Sequence, residues 1–165
     1  MVDVMSKPRA VVTLPTATEI RIERDFAAAP PLVFKALTTP ALVSKWWIGQ
    51  RGEMVSAEID LRVGGRWRYV MIAHGDLEVA FHGEYREIVP NERLVSTEVY
   101  EGIPDADAHP TLNTVTLEPR GGGTRLRVLV QCESQAQRDA IIDSGMEGGM
   151  QEAYDLLEAV AISLR

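Results

Sequence analysis

"RVGGRWRYVMIAHGDLEVAFHGEY", residues 62–85, decides how this chain folds. Trp67, Tyr69 and Met71 take alternate positions with Arg66 and Arg68 interleaved, and beyond His74-Gly75-Asp76 the residues Phe81, Gly83 and Tyr85 fall on one face, with His82 on the other. A period of two sends successive side chains to opposite faces of a pleated strand, so the stretch reads as two half-buried strands joined by a turn. A one-sided strand usually buries branched aliphatics; two rings and a thioether instead suggest a wall built for contact with something apolar or aromatic. Gly83 removes bulk from the middle of that wall, as glycines do at a bulge or where another group comes close.

The alternation extends outward from this hairpin. EIRIERDF, residues 19–26, places Ile20, Ile22, Arg24 and Phe26 on one face and Glu19, Arg21, Glu23 and Asp25 on the other. Next, Pro30 and Pro31 suit the first turn of a helix, and Thr39-Pro40 breaks it, predicting two short helices. Strand-like segments over 53–61, 66–73, 78–89, 93–101, 111–118 and 124–132 follow, separated by turn residues, so with the first strand included about seven antiparallel strands are expected. Gly121-Gly122-Gly123 joins two of these strands and reads as a hairpin turn, not as a phosphate loop, because no helix follows it.

Two pairs, Ser134 with Gln137 and Ser144 with Glu147, carry the capping signature of helix starts. After the second, Met146, Met150, Ala153, Leu157, Val160 and Leu164 recur at helical spacing, predicting a long amphipathic helix of roughly 28 Å, enough to cross a curved sheet. Its Met-rich start is interrupted by Gly148-Gly149, a combination that leaves space there. Residues 1–17 read as a flexible arm or an extra edge strand, and 18–165 as a single domain.

The 165 residues hold 17 Lys and Arg against 24 Asp and Glu, a net charge of −7 that disfavours nucleic acid and anionic membrane surfaces as partners. No apolar run reaches membrane-spanning length and no secretory signal is recognisable, so a cytoplasmic location is expected. The single cysteine, Cys132, has no activating base beside it in sequence and reads as structural.

The element order, together with "FAAAPPLVFKALTTPALVSKWW" (26–47), "DLRVGGRWRYVM" (60–71), "FHGEYREIVPNERLVSTEVYEG" (81–102) and "GGGTRLRV" (121–128), resembles the START-like (SRPBCC) superfamily. Within it the chain is similar to the branch of homologues of the activator of heat-shock protein ninety ATPase. The resemblance implies an α+β helix-grip fold, a curved antiparallel sheet wrapped around the long C-terminal helix with a cavity between them. It implies no single chemistry, because members of such a superfamily put different sites on one scaffold.

The residues expected to line that cavity are Trp47, Trp67, Tyr69, Met71, Phe81, Met146 and Met150, with Tyr69 or Tyr85 orienting a polar end of the ligand. Trp46 and Trp47 end the second short helix, one to plug the core and the other to face the cavity mouth, the choice left open by so short a helix. Glu98 shares a strand face with Leu94, Ser96 and Tyr100. An inward Glu98 would be a desolvated acid or base, whereas burial statistics place it outside. Arg24, in register with Ile22 and Phe26, could anchor an anionic head. His82 is expected on the outer face, and His74 and His109 in solvated turns. Spacing yields no catalytic triad and no cluster of metal ligands, and no cofactor is called for.

The first functional reading is a protein that holds a small, largely apolar or aromatic molecule. The second is a cyclase, aromatase or hydratase-like enzyme in which Glu98, Tyr69 or His82 moves a proton; the third is a chaperone-associated interaction role. Homodimerisation through a bare sheet edge or the N-terminal arm stays open.

Overall fold

The computed structural model describes residues 9–165, so the first eight residues of the arm expected over 1–17 lie outside the described residues. The alternating stretches become strands: β1 (Val11–Thr13), β2 (Glu19–Phe26), β3 (Gly52–Ile59), β4 (Arg66–Ala73), β5 (Leu77–Val89), β6 (Arg93–Tyr100), β7 (Thr111–Arg120) and β8 (Gly123–Gln131). They form one antiparallel sheet in the order β1-β2-β8-β7-β6-β5-β4-β3. The sheet thus has eight strands where the sequence suggests about seven. The extra one is β1, whose three residues are too few to carry a periodicity; it pairs along β2, with Val12 opposite Ile22.

Pre-proline sterics act as expected. Thr39 is extended, with φ −107° and ψ 117°, and separates α1 (Pro30–Thr38) from α2 (Pro40–Val43). After β8 come α3 (Gln135–Asp143) and α4 (Met146–Ser163). At the start of α3 the Ser134 hydroxyl accepts from the Gln137 amide, and the Gln137 side chain accepts from the amide of Glu133.

The second capping signature does not operate. Ser144 ends α3, its hydroxyl donating to the Ile141 carbonyl, and α4 starts instead from Gly145. With φ at 84°, Gly145 reverses the chain between the two helices in a conformation other residues adopt only with strain.

α4 buries Ala153, Leu157, Val160 and Ala161. They meet an inner sheet face that includes Ile20, Ile22 and Phe26 of β2, Leu126, Val128 and Val130 of β8, and Leu117 of β7. Arg24 crosses from β2 to the helix: its fully buried side chain lies 3.2 Å from Asp155 and 3.0 Å from Glu158, and its guanidinium sits 4.7 Å from the centroid of the Phe26 ring. Glu158 also accepts from the Ala27 amide, which fixes the end of β2 on the helix.

The outer face is not uniformly wet. Val70, Ala80, Val95, Thr97 and Val99 point outward yet are buried. Above them Arg68 holds Glu101 through two hydrogen bonds of 2.9 Å, and His82 touches both Glu101 and Asp107, so the loop after β6 is tied down onto the sheet. The Arg68 guanidinium, with His82, holds the Glu101 carboxyl at about 2.

In the β4–β5 pairing Trp67 stands opposite Gly83, Tyr69 opposite Phe81 and Met71 opposite Val79. A Cβ on Gly83 would come within 1.9 Å of the Thr97 carbonyl oxygen and 2.5 Å of the Trp67 indole nitrogen. Glycine is there for close approach, as the sequence suggests. Gly83→Ala is therefore expected to lower the unfolding free energy by about 1–3 kcal/mol in urea denaturation; an unchanged midpoint would contradict this packing.

Candidate functional site

The rings named from the sequence converge. Trp47, just past α2, lies with its ring centroid 4.8 Å from Tyr69, 6.2 Å from Trp67 and 6.0 Å from Phe81, each in an edge-to-face arrangement. The ambiguity of the tryptophan pair resolves as follows. Trp46 is buried, its indole N–H donating to the Ala36 carbonyl at 3.0 Å, and Trp47 covers the aromatic strand face while keeping partial exposure. Trp67, Tyr69 and Met71 are only 3–5% exposed. They form a packed wall with Trp47 against it, so the open cavity expected beside them is filled by this ring.

The space expected beside Gly148-Gly149 is filled as well. The Arg51 guanidinium lies where a Cβ on Gly148 would come within 2.7 Å of it, and it pairs with Glu152 at 3.2 Å. Met146 and Met150 remain half-buried against the core.

Further along the inner face the character changes. Glu98 faces inward, where burial statistics place it outward: it stands opposite Thr111, and its Oε1 accepts from the Asn113 amide at 3.0 Å. The register that sets Phe81 against Tyr100 and Tyr85 against Ser96 also sets Gly83 against Glu98. Trp67, Gly83, Glu98 and Thr111 thus form one row across four strands. Burial pushes the Glu98 carboxyl up to about 7, against the opposing pull of Asn113. Yet Glu98, Asn113, Ser96 and Tyr154 each keep partial exposure.

Two phenols, Tyr69 and Tyr154, feel the charge of this carboxyl. Tyr69 and Tyr85 lie close enough to influence each other's hydroxyls, and burial raises the pKa of both, that of Tyr69 well above the ordinary tyrosine value. Tyr154 of α4, its ring 5.8 Å from that of Phe26, is raised by burial too, and it feels Glu98 from one side and Arg24 from the other. Two buried groups nearby lack hydrogen-bond partners among the described residues: the Trp67 indole N–H, and the Nε and Nη1 of Arg24. Buried donors without partners are rare in folded proteins.

Arg24 already pairs with Asp155 and Glu158, so an anionic head would have to compete with these two carboxylates for it. His82 lies on the outer face between Glu101 and Asp107, with no access to the interior row. His109 pairs with Glu133 on the surface, and His74 is exposed in its turn. Cys132 is half-buried, its thiol pushed up by burial. On the outer face a concavity of about 710 Å³ is lined by charges of both signs, including Arg66, Arg68, Arg86, Glu58, Glu84 and Glu101. Among the described residues no cluster of His, Cys, Asp and Glu could hold a metal ion, and no helix is long and apolar enough to cross a membrane.

Residues 27–161 match the family model of Activator of Hsp90 ATPase homolog 1-like protein. A crystal structure of a Rhodobacter sphaeroides protein is 30% identical, covers 95% of this chain and 100% of its own, and superposes with a TM-score of 0.86. A solution structure of an Arthrobacter aurescens protein is 25% identical, covering 93% of this chain and 91% of its own, with a TM-score of 0.81. The AHSA1-like protein of Aeromonas hydrophila, at 21% identity, 88% and 93% coverage and a TM-score of 0.64, shares the fold. No curated protein matches the chain.

The raised carboxyl gives a stability prediction. Its folded value of about 7 lies above the ordinary 4.5, so between these the folded state holds the proton more tightly than the unfolded chain does. Wild-type stability then falls as pH rises through this window. Glu98→Gln cannot ionise, so its advantage over wild type should grow by about 2–3 kcal/mol between about pH 4.5 and about pH 8 in urea denaturation; a difference that does not vary with pH would place Glu98 in solvent.

Proposed function

The chain belongs to the Activator of Hsp90 ATPase homolog 1-like protein family, and on that premise we propose that it binds a small, largely apolar or aromatic molecule between the sheet and α4. Family membership supports a START-type ligand-binding or chaperone-associated role in general terms. What favours ligand binding is one combination: an inward carboxyl, Glu98, desolvated yet partly exposed, in one row with the indole N–H of Trp67, which has no partner among the described residues. A core stabilised only by packing has no use for this combination, since unmatched polar groups in a dry interior each cost about 1–3 kcal/mol.

The aromatic wall and the polar row divide the work. Trp47, Trp67, Tyr69 and Phe81 offer ring faces and edges to an apolar body, with Met71, Met146 and Met150 as adaptable neighbours. Glu98, Tyr69 and Tyr85 would meet its polar end. Trp47 sits on the short segment after α2, which Arg51 and Gln50 tie to Glu152 of α4, and in this reading a ligand would enter by displacing its ring. No metal or organic cofactor enters this reading.

Native mass spectrometry of the protein from its own host, with thermal-shift measurements across lipids, polyketides and aromatic compounds, tests it. A one-to-one adduct is expected, lost in Ser96→Phe, which sets a ring beside Glu98 on the inner face while circular dichroism shows the fold retained. A bare mass with no stabilisation by any compound would favour the chaperone-associated role instead.

A further inference from the structure

On the outer face of the sheet, His82 meets two carboxylates at once. Its Nδ1 lies 2.7 Å from Glu101 Oε2, and its Nε2 lies 2.6 Å from Asp107 Oδ1. A carboxylate only accepts, so both contacts are hydrogen bonds only when both ring nitrogens carry protons, which is the imidazolium. Neutral imidazole has a single N–H. Its other nitrogen would turn a lone pair toward a carboxylate oxygen, and that contact would be lost.

The two carboxylates are not held alike. Glu101 also accepts two hydrogen bonds of 2.9 Å from Arg68, which with His82 keeps its carboxyl at about 2, and its backbone amide donates to the Ala80 carbonyl. Asp107 has no second side-chain partner among the described residues, and its side chain is 83% exposed, so water solvates it as soon as the imidazole lets go. It belongs to a short 3-10 turn, Ala106–Ala108, that packs against β6. Asp105 leads into the turn at φ 57°, a left-handed conformation that costs free energy in any residue with a side chain. On the far side the loop is fixed without need of a charge: neutral His109 can donate from Nδ1 to Glu133 at 2.7 Å, and the Gln137 side chain donates to the His109 carbonyl. The loop between β6 and β7 is thus pinned at both ends and fastened in its middle through one imidazole.

We propose that His82 is a proton-operated latch: its imidazolium clasps Asp107 and closes the loop between β6 and β7 on the outer face, and loss of the Nε2 proton to solvent frees Asp107 and the turn that carries it. The latch is closed below the range in which imidazole titrates and open above it. The groups around His82 are Arg68 of β4 and Val99 of β6, opposite it in register, Glu101 and Asp107 of the loop, and Ala80 and Glu84 along β5, with Glu58 of β3 beyond Arg68. Carboxylates and guanidinium ordinarily titrate outside the interval from about pH 5.5 to about pH 8, whereas imidazole titrates within it. Glu98, with its carboxyl at about 7, lies on the opposite face of β6. Asp107 and Pro110 line one side of the outer concavity of about 710 Å³, so opening the latch opens the concavity on that side.

Nitrogen-15 relaxation of the full chain at about pH 5.5 and about pH 8 tests this, with the His82 ring nitrogens followed in the same samples. The backbone amides of Asp105, Ala106, Asp107 and Ala108 should give order parameters of about 0.85 at the lower pH and below about 0.6 at the higher, the change tracking the His82 ring. His82→Phe, which keeps a ring without a donor, should leave these amides mobile at both pH values. Asp107→Asn should keep them ordered at both, because an amide can donate to an unprotonated ring nitrogen and accept from a protonated one. His109→Gln, which retains a donor for Glu133, should respond as the wild type does. Glu98 is intact in all three variants, so its titration cannot produce the differences, and circular dichroism verifies that each is folded. Asp107→Asn alters an exposed side chain and decides the matter even if His82→Phe fails to fold. A wild-type loop equally ordered at both pH values, a pH response that survives in His82→Phe, or any behaviour of Asp107→Asn other than order at both pH values overturns the latch.

Discussion

A missing side chain at Gly83 governs much of the inner face. Its backbone passes so close to the Thr97 carbonyl that no Cβ fits, and the vacancy above it is taken by the Trp67 indole. Because β4, β5, β6 and β7 keep their register across this point, Trp67 and Glu98 become neighbours across a strand that contributes nothing between them. The aromatic wall on one side and the polar row on the other follow from that single residue. A larger side chain would push the indole outward, separate β5 from β6, and turn a mixed surface into an ordinary core.

The second constraint is the union of helix and sheet at Arg24. A buried guanidinium with only one hydrogen-bonded carboxylate and one nearby carboxylate does not maximise stability, since well-packed apolar groups of similar volume often serve as well or better. It does fix the phase of α4, because Asp155 and Glu158 must both face β2. This phase turns Tyr154 toward Glu98 and directs Leu157 and Ala161 into the core.

Much of the architecture was legible in the sequence because its strands alternate cleanly and Thr39-Pro40 acts where pre-proline sterics require. The short β1 was legible only as one of two alternatives for residues 1–17, an extra edge strand or a flexible arm, and the start of α4 was not, because Ser144 imitates a cap but is held by the turn before it. Glu98 was the instructive failure. Burial statistics favour the outer face for Glu98; in the fold the alternate set Val95, Thr97 and Val99 takes the outer side and is buried there, under Arg68, His82 and the loop they hold, which leaves Glu98 inward. Alternation identifies two faces and cannot say which one a distant loop will cover. The filling of the aromatic cavity by Trp47 was equally invisible, because it depends on where a short turn after α2 delivers its ring.

The account rests on Glu98 being enclosed within the protein, so its titration is the most direct test. Carbon-13 NMR of the Glu98 carboxyl, assigned by comparison with Glu98→Gln, should show a midpoint near 7. A midpoint in the ordinary carboxylate range, about 4.3, would mean an exposed group and would remove the polar anchor on which the interior site depends.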